Sequence, residues 1–168
     1  MTGVLTRRAL FSRFRGGPPQ LRPPWSVSEE IFVEACTLCG KCTEACPTQI
    51  IGRGHAGYPI VSFDRGACTF CGACAAACDA GCFDRDGRAP PWGLKAEIAA
   101  SCVEIKGVAC RMCEEACEAS AIRFRPMRGG VCAATIDQDR CTGCGACVAP
   151  CPVNAITVAS LKHAEAAS

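Results

Sequence analysis

The chain has 168 residues, few aromatics (two Trp, one Tyr, seven Phe) and 18 cysteines. So few large side chains make a marginal core for one or two small domains, so the cysteines must supply stability through metal or disulfides. The formal charge of +2 gives no support to nucleic-acid binding, and no stretch approaches the ~20 apolar residues of a membrane span.

Residues 1–30 form a basic, proline-rich arm. Arg7, Arg8, Arg13, Arg15 and Arg22 precede the first acid, Glu29, and Gly16-Gly17-Pro18-Pro19 and Pro23-Pro24 predict extended backbone. Thr6-Arg7-Arg8-Ala9-Leu10-Phe11 is similar to a twin-arginine export signal, but only Ala9–Phe11 is apolar before Ser12-Arg13, whereas a signal needs ~7–15 apolar residues. The expectation is therefore a cytoplasmic protein. Its arm suits docking to an acidic partner or to the membrane surface.

Four cysteine runs follow. The first is Cys36-x2-Cys39-x2-Cys42-x3-Cys46-Pro47. The second, Cys68-x2-Cys71-x2-Cys74-x3-Cys78, has Asp79 in place of the proline. The third, Cys110-x2-Cys113-x3-Cys117, is three-quarters of a copy, with Cys102 upstream as the missing member. The last is Cys141-x2-Cys144-x2-Cys147-x3-Cys151-Pro152. This spacing holds [4Fe-4S] clusters, and the fourth cysteine of each run ligates the other cluster of a pair. The predicted ligand sets are Cys36, Cys39, Cys42 and Cys78; Cys68, Cys71, Cys74 and Cys46; Cys102, Cys110, Cys113 and Cys151; and Cys141, Cys144, Cys147 and Cys117. Disulfide frameworks use irregular spacings, and zinc sites pair CxxC units, so both fit less well. Four oxidised clusters, about −2 each with their thiolates, turn the formal +2 into a net acidic protein.

The third site is irregular. Seven residues separate Cys102 from Cys110, and Arg111 stands where the other runs have Gly40, Gly72 and Gly145. Four clusters are expected, or three if this site is empty.

Each fourth cysteine leads through a short turn into an apolar pair: Ile50-Ile51, Cys82-Phe83, Ala121-Ile122 and Ala155-Ile156. Strands are predicted over Pro59–Asp64 and Ala133–Asp137, each feeding the second run of a pair. The fold class is α+β, with two tandem bacterial ferredoxin-like (βαβ)2 modules over residues 31–83 and 100–158. A turn-rich linker and a helix, with Leu94 and Ile98 on one face, occupy 84–99, and 159–168 is a tail with a frayed helical end. Cys82 and Cys132 align with packing positions and are read as buried structural cysteines. His55 and His163 are read as solvated. No catalytic residues are predicted, and the chain is read as a non-enzyme.

Together these features resemble the NapF-type ferredoxins of periplasmic nitrate reductase systems. The matching pieces are the basic start with Arg7-Arg8, Arg22-Pro-Pro-Trp25, Gly57-Tyr58-Pro59, Cys110-Arg111-x-Cys113-x3-Cys117-Glu118, Ala121-Ile122-x-Phe124-Arg125-Pro126 and the closing run through Thr157. The resemblance implies a cytoplasmic polyferredoxin that binds the precursor of the molybdenum-containing catalytic subunit and helps load its cubane before export. The alternative is an electron-transfer ferredoxin serving the same system.

Overall fold

The computed structural model describes residues 20–84, 90–129 and 131–160. The expectations for the start of the arm, for the center of the linker, for His163, for the side chain of His55 and for the tail lie outside the described residues. By internal contact the chain divides into two units. One comprises Met1–Ser62 and Gly72–Pro91, the other Phe63–Cys71 and Trp92–Ser168.

The first unit contains helix α1 (Glu29–Ala35), the single-turn helices α2 (Lys41–Glu44) and α3 (Ala73–Ala76), and a hairpin of β1 (Ile51–Arg53) and β2 (Pro59–Val61). The strands pair antiparallel with Ile51 opposite Val61. Ile51 and Val61 enter the core while Gly52 faces out, the period-2 alternation of a half-buried strand. The hairpin closes through Ala56 and Gly57, both at positive φ. Around it lies an outer pair: Ser26 bridges Phe83 antiparallel, with Val27 N–H donating to the Cys82 carbonyl at 3.1 Å. Phe32 and Phe83 meet edge to face at 6.0 Å in the center of this core.

The described part of the arm packs onto the rest of the first unit. Pro23 and Pro24 are buried, and the Leu21 carbonyl accepts the Val61 N–H at 2.7 Å. The Arg22 guanidinium lies 5.0 Å from the Phe32 ring center and 5.3 Å from that of Tyr58. It also donates to both carboxylate oxygens of Glu29 and to the Pro59 carbonyl. A guanidinium can satisfy rings, carboxylate and carbonyl at once because it is planar with donors along its edges.

The second unit contains β3 (Leu94–Ile98), helix α4 (Met112–Glu115), β4 (Ile122–Pro126), β5 (Cys132–Ile136) and β6 (Ile156–Ser160). β4 and β5 form an antiparallel pair, Ile122 opposite Ile136. β3 and β6 form the outer one, Leu94 opposite Ser160 and Ile98 opposite Ile156. The predicted helix after the linker is therefore a strand. Leu94 and Ile98 are four apart, a spacing that suits both periods. Leu94 and Ala96 are buried between half-buried Lys95 and exposed Glu97, and β6 supplies the ladder that decides for strand. The core gathers Ala96, Ile122, Phe124, Ala155 and Ile156 around Cys102, Cys113, Cys141 and Cys147.

Candidate metal centers

Each regular run is shaped by residues in the left-handed region. In the first, Leu38 and Gly40 have φ of 59° and 83°; in the second, Phe70 and Gly72 have 54° and 74°; in the last, Gly143 and Gly145 have 71° and 80°. Glycine takes this conformation without steric cost and lets the backbone approach a bound group closely. Gly40 and Gly72 also start α2 and α3, which carry Cys42 and Cys74. A fourth repeat follows each closing cysteine: Gln49, Gly81, Ser120 and Asn154 all have positive φ. That turn aims the next amide back at sulfur. Ala121 N–H donates to Cys117 Sγ at 3.3 Å, and Ala155 N–H to Cys151 Sγ at 3.2 Å. Such bonds favour the thiolate and tune a cluster's potential.

In the first unit, Cys36, Cys39, Cys42 and Cys78 line one pocket with Leu38, Gly40 and Arg53. These are the four thiols predicted for one crossed site. Cys36 enters from the end of α1, Cys42 from α2, and Cys78 from the run after α3. Burial pushes the Cys42 thiol up, as thiols that must share a dry site require a compensating cation. Lys41 and Asp79 form an exposed ion pair at 2.6 Å, so the residue replacing the usual proline tethers the second run to α2.

Cys82 lines this pocket too. It is 2 % exposed, and burial, then its neighbours Cys78 and Cys36, push its thiol up to about 12. Its packing position was legible from the repeat; its place beside two predicted ligands was not.

The predicted second set is divided between the units. Cys46 and Cys74 belong to the first, with Cys74 buried on α3 and Cys46 Sγ 3.6 Å from Thr48 Oγ1. Cys68 and Cys71 belong to the second. There, Cys68 N–H donates to the Cys144 carbonyl at 2.8 Å, and Cys68 Sγ accepts the Phe70 N–H at 3.4 Å.

In the second unit, Cys102, Cys110, Cys113 and Cys151 line one pocket with Val103, Met112, Pro152, Val153 and Ile156. The irregular run and its distant Cys102 thus converge with the closing cysteine of the last run. Burial raises the Cys113 thiol to about 11, aided by Cys102 and Cys151. Cys141, Cys144 and Cys147 form the last loop. Ala96 N–H points at Cys141 Sγ at 3.5 Å, and burial followed by Cys144 and Cys141 drives Cys147 to about 12. Trp92 Nε1 donates to the Thr142 carbonyl and Lys95 Nζ to the Cys141 carbonyl, which fasten this loop over β3.

The donor chemistry fits iron–sulfur clusters. Soft thiols gather in fours around two pockets, and the Cys42, Cys113 and Cys147 thiols, raised by burial, would give up their protons to a positive metal. Among the described residues no three His, Cys, Asp or Glu side chains close on a point as one ion would need. A cubane makes a different demand, since each thiolate meets its own iron.

One feature of the third site has no counterpart in the sequence reading. Glu104 is 5 % exposed, the one buried charged residue among those described. Its carboxylate accepts the Cys110 N–H, lies 3.8 Å from Arg111 and neighbours the Cys132 thiol. The Cys110 amide, then the Cys132 thiol, hold its pKa below the usual carboxylate value. Cys132 is half-buried at the start of β5, with this carboxylate as its partner.

Residues 35–83 match a 4Fe-4S dicluster domain and residues 134–157 a 4Fe-4S binding domain. The chain is 51% identical over 146 residues to ferredoxin-type protein NapF of Haemophilus influenzae, covering 86% of this chain and 82% of that protein. It is 43% identical over 160 residues to ferredoxin-type protein NapF of Escherichia coli K12, covering 95% and 96%. Identity falls to 30% with the methylamine utilization ferredoxin-type protein MauM of Methylorubrum extorquens, over 78% of this chain and 67% of that protein.

Proposed function

Because the chain belongs to the family of NapF ferredoxin-type iron–sulfur proteins, we propose that it is a cytoplasmic maturation factor binding four [4Fe-4S] clusters in two tandem (βαβ)2 modules. It docks the precursor of the molybdenum-containing nitrate reductase catalytic subunit and supplies that subunit's cubane before export. The nested pairing in each unit, a hairpin inside an outer pair, supports the two-module reading.

The observation that carries the maturation reading is the inequality of the sites. Three runs are shaped by left-handed turns in the backbone itself. The third loop, Cys102–Cys113, lacks the left-handed residues on either side of its second cysteine, its left-handed residue being Gly107 further upstream, and a side chain holds the Cys110 amide instead. A donor needs one cluster that leaves more readily than the rest, whereas a relay is best served by equally rigid ones.

A second reading is electron relay. Cys113 of the third run and Cys147 of the last are buried in the same core cluster, which favours bound clusters close enough to exchange electrons.

The two readings separate in one experiment. The holo-protein is labelled with iron isotope and mixed anaerobically with cluster-free catalytic subunit. Maturation predicts that label and a cubane spectrum appear in the subunit while this protein loses about one cluster. Relay predicts no transfer of label and a change of oxidation state only.

A further inference from the structure

The loop from Cys102 to Cys113 has a left-handed residue at Gly107, with φ of 87°, but none beside its second cysteine, where the other three have two. Where they have Leu38 and Gly40, Phe70 and Gly72, or Gly143 and Gly145 at positive φ, it has Ala109 and Arg111. Arg111 has φ of −122°, and Ala109 is not in the left-handed region either. The seven residues after Cys102 fold instead into a tight turn. Lys106 and Val108 N–H donate to the Val103 carbonyl, and Gly107 N–H to that of Glu104. This turn directs the Glu104 side chain back to the amide of Cys110.

We infer that Glu104 is the positioning residue of the third cluster site, fixing Cys110 through its backbone amide where the other runs use left-handed turns, with Cys132 and Arg111 supporting the carboxylate. The inference rests on the third pocket being a cluster site. Burying a carboxylate is costly unless its oxygens are bonded, and here an amide, a thiol and a guanidinium surround it.

The position also fixes a charge beside the cluster. A negative group in contact with a ligand's backbone disfavours adding an electron, so it holds that cluster's reduction potential down. Glutamine keeps an oxygen for the Cys110 amide and removes the charge. Alanine removes both and leaves the amide without its acceptor.

The test compares reconstituted wild-type protein with Cys102→Ser, Glu104→Gln and Glu104→Ala. Iron and sulfide are counted per chain, and each cluster is followed by a redox titration monitored by electron paramagnetic resonance. Cys102→Ser identifies the third cluster as the signal that vanishes with about four irons. Glu104→Ala should lose that same signal. Glu104→Gln should keep wild-type iron and shift that signal alone to higher potential. Full iron in Glu104→Ala, or an unmoved potential in Glu104→Gln, overturns the inference. Should Glu104→Ala fail to fold, the Glu104→Gln titration decides by itself. If Cys102→Ser keeps all its iron, the third cluster itself is refuted, and the role of Glu104 with it.

Discussion

Cys78 opens onto the same pocket as Cys36, although a hairpin and two helical turns lie between them in the chain. Cys151 does the same with Cys102. A cluster held by either of these two groups would clasp distant segments and close a loop of the chain as a cross-link does.

Crossed ligation predicts which mutations share a phenotype. Cys36→Ser and Cys78→Ser should each lose the same cluster, about four irons, and the double variant should lose no more than either alone. Iron counts that add in the double variant would show that the two thiols serve different clusters.

The clasp also predicts dependence on metal. Removal of iron by a strong chelator should melt the fold, because the core between clusters is thin. Any folded remainder should weaken further as pH rises. Cys113 and Cys147 have folded pKa values of about 11 and about 12, above the ordinary 9.0. Unfolded thiols ionise first, so the unfolded state binds fewer protons and stability falls between about pH 9 and 12. Circular dichroism of the chelated protein against pH checks the sign.

How much of this was legible in the sequence follows from what each signal constrains. The spacing of the regular runs is dictated by the cluster and is plain in the sequence, whereas the seven-residue gap after Cys102 departs from it and left the third site open between filled and empty. The strand at Leu94–Ile98 could not be read there, because an apolar spacing of four fits both periods and the partner strand lies some sixty residues downstream, at Ile156–Ser160. Glu104 was hidden for another reason. A lone acid between Val103 and Ile105 reads as solvated, and only the turn of Val103–Val108 carries it inward. The left-handed residues after each closing cysteine left a faint trace, since Gly81 and Asn154 tolerate that conformation, but Gln49 and Ser120 do not announce it.

Arg22 should matter for stability well away from any thiol. Its guanidinium faces Phe32 and Tyr58 and bonds Glu29 and the Pro59 carbonyl, with a side chain only 13% exposed. Arg22→Ala should cost about 2 kcal/mol and release the docked arm. Arg22→Lys should recover part of that, since it keeps charge and loses the planar fork. Urea unfolding of the holo-proteins measures both.

Gly145 tests the backbone device. Its φ is 80°, and a Cβ there would enter the ring of buried Phe63. Gly145→Ala should cost more than about 2 kcal/mol and reduce iron at the last run. Gly52→Ala is the control: its Cβ meets nothing, and stability and iron should stay as in the wild type.

The central claim is that this protein supplies the nitrate reductase catalytic subunit with its cluster before export. The most direct measurement is the iron content of that subunit, purified from cytoplasm and periplasm of cells with and without this protein. The account predicts an iron-poor, inactive subunit in the deletion strain, corrected by the wild-type gene. A fully loaded subunit that only receives electrons slowly would contradict it and leave the relay.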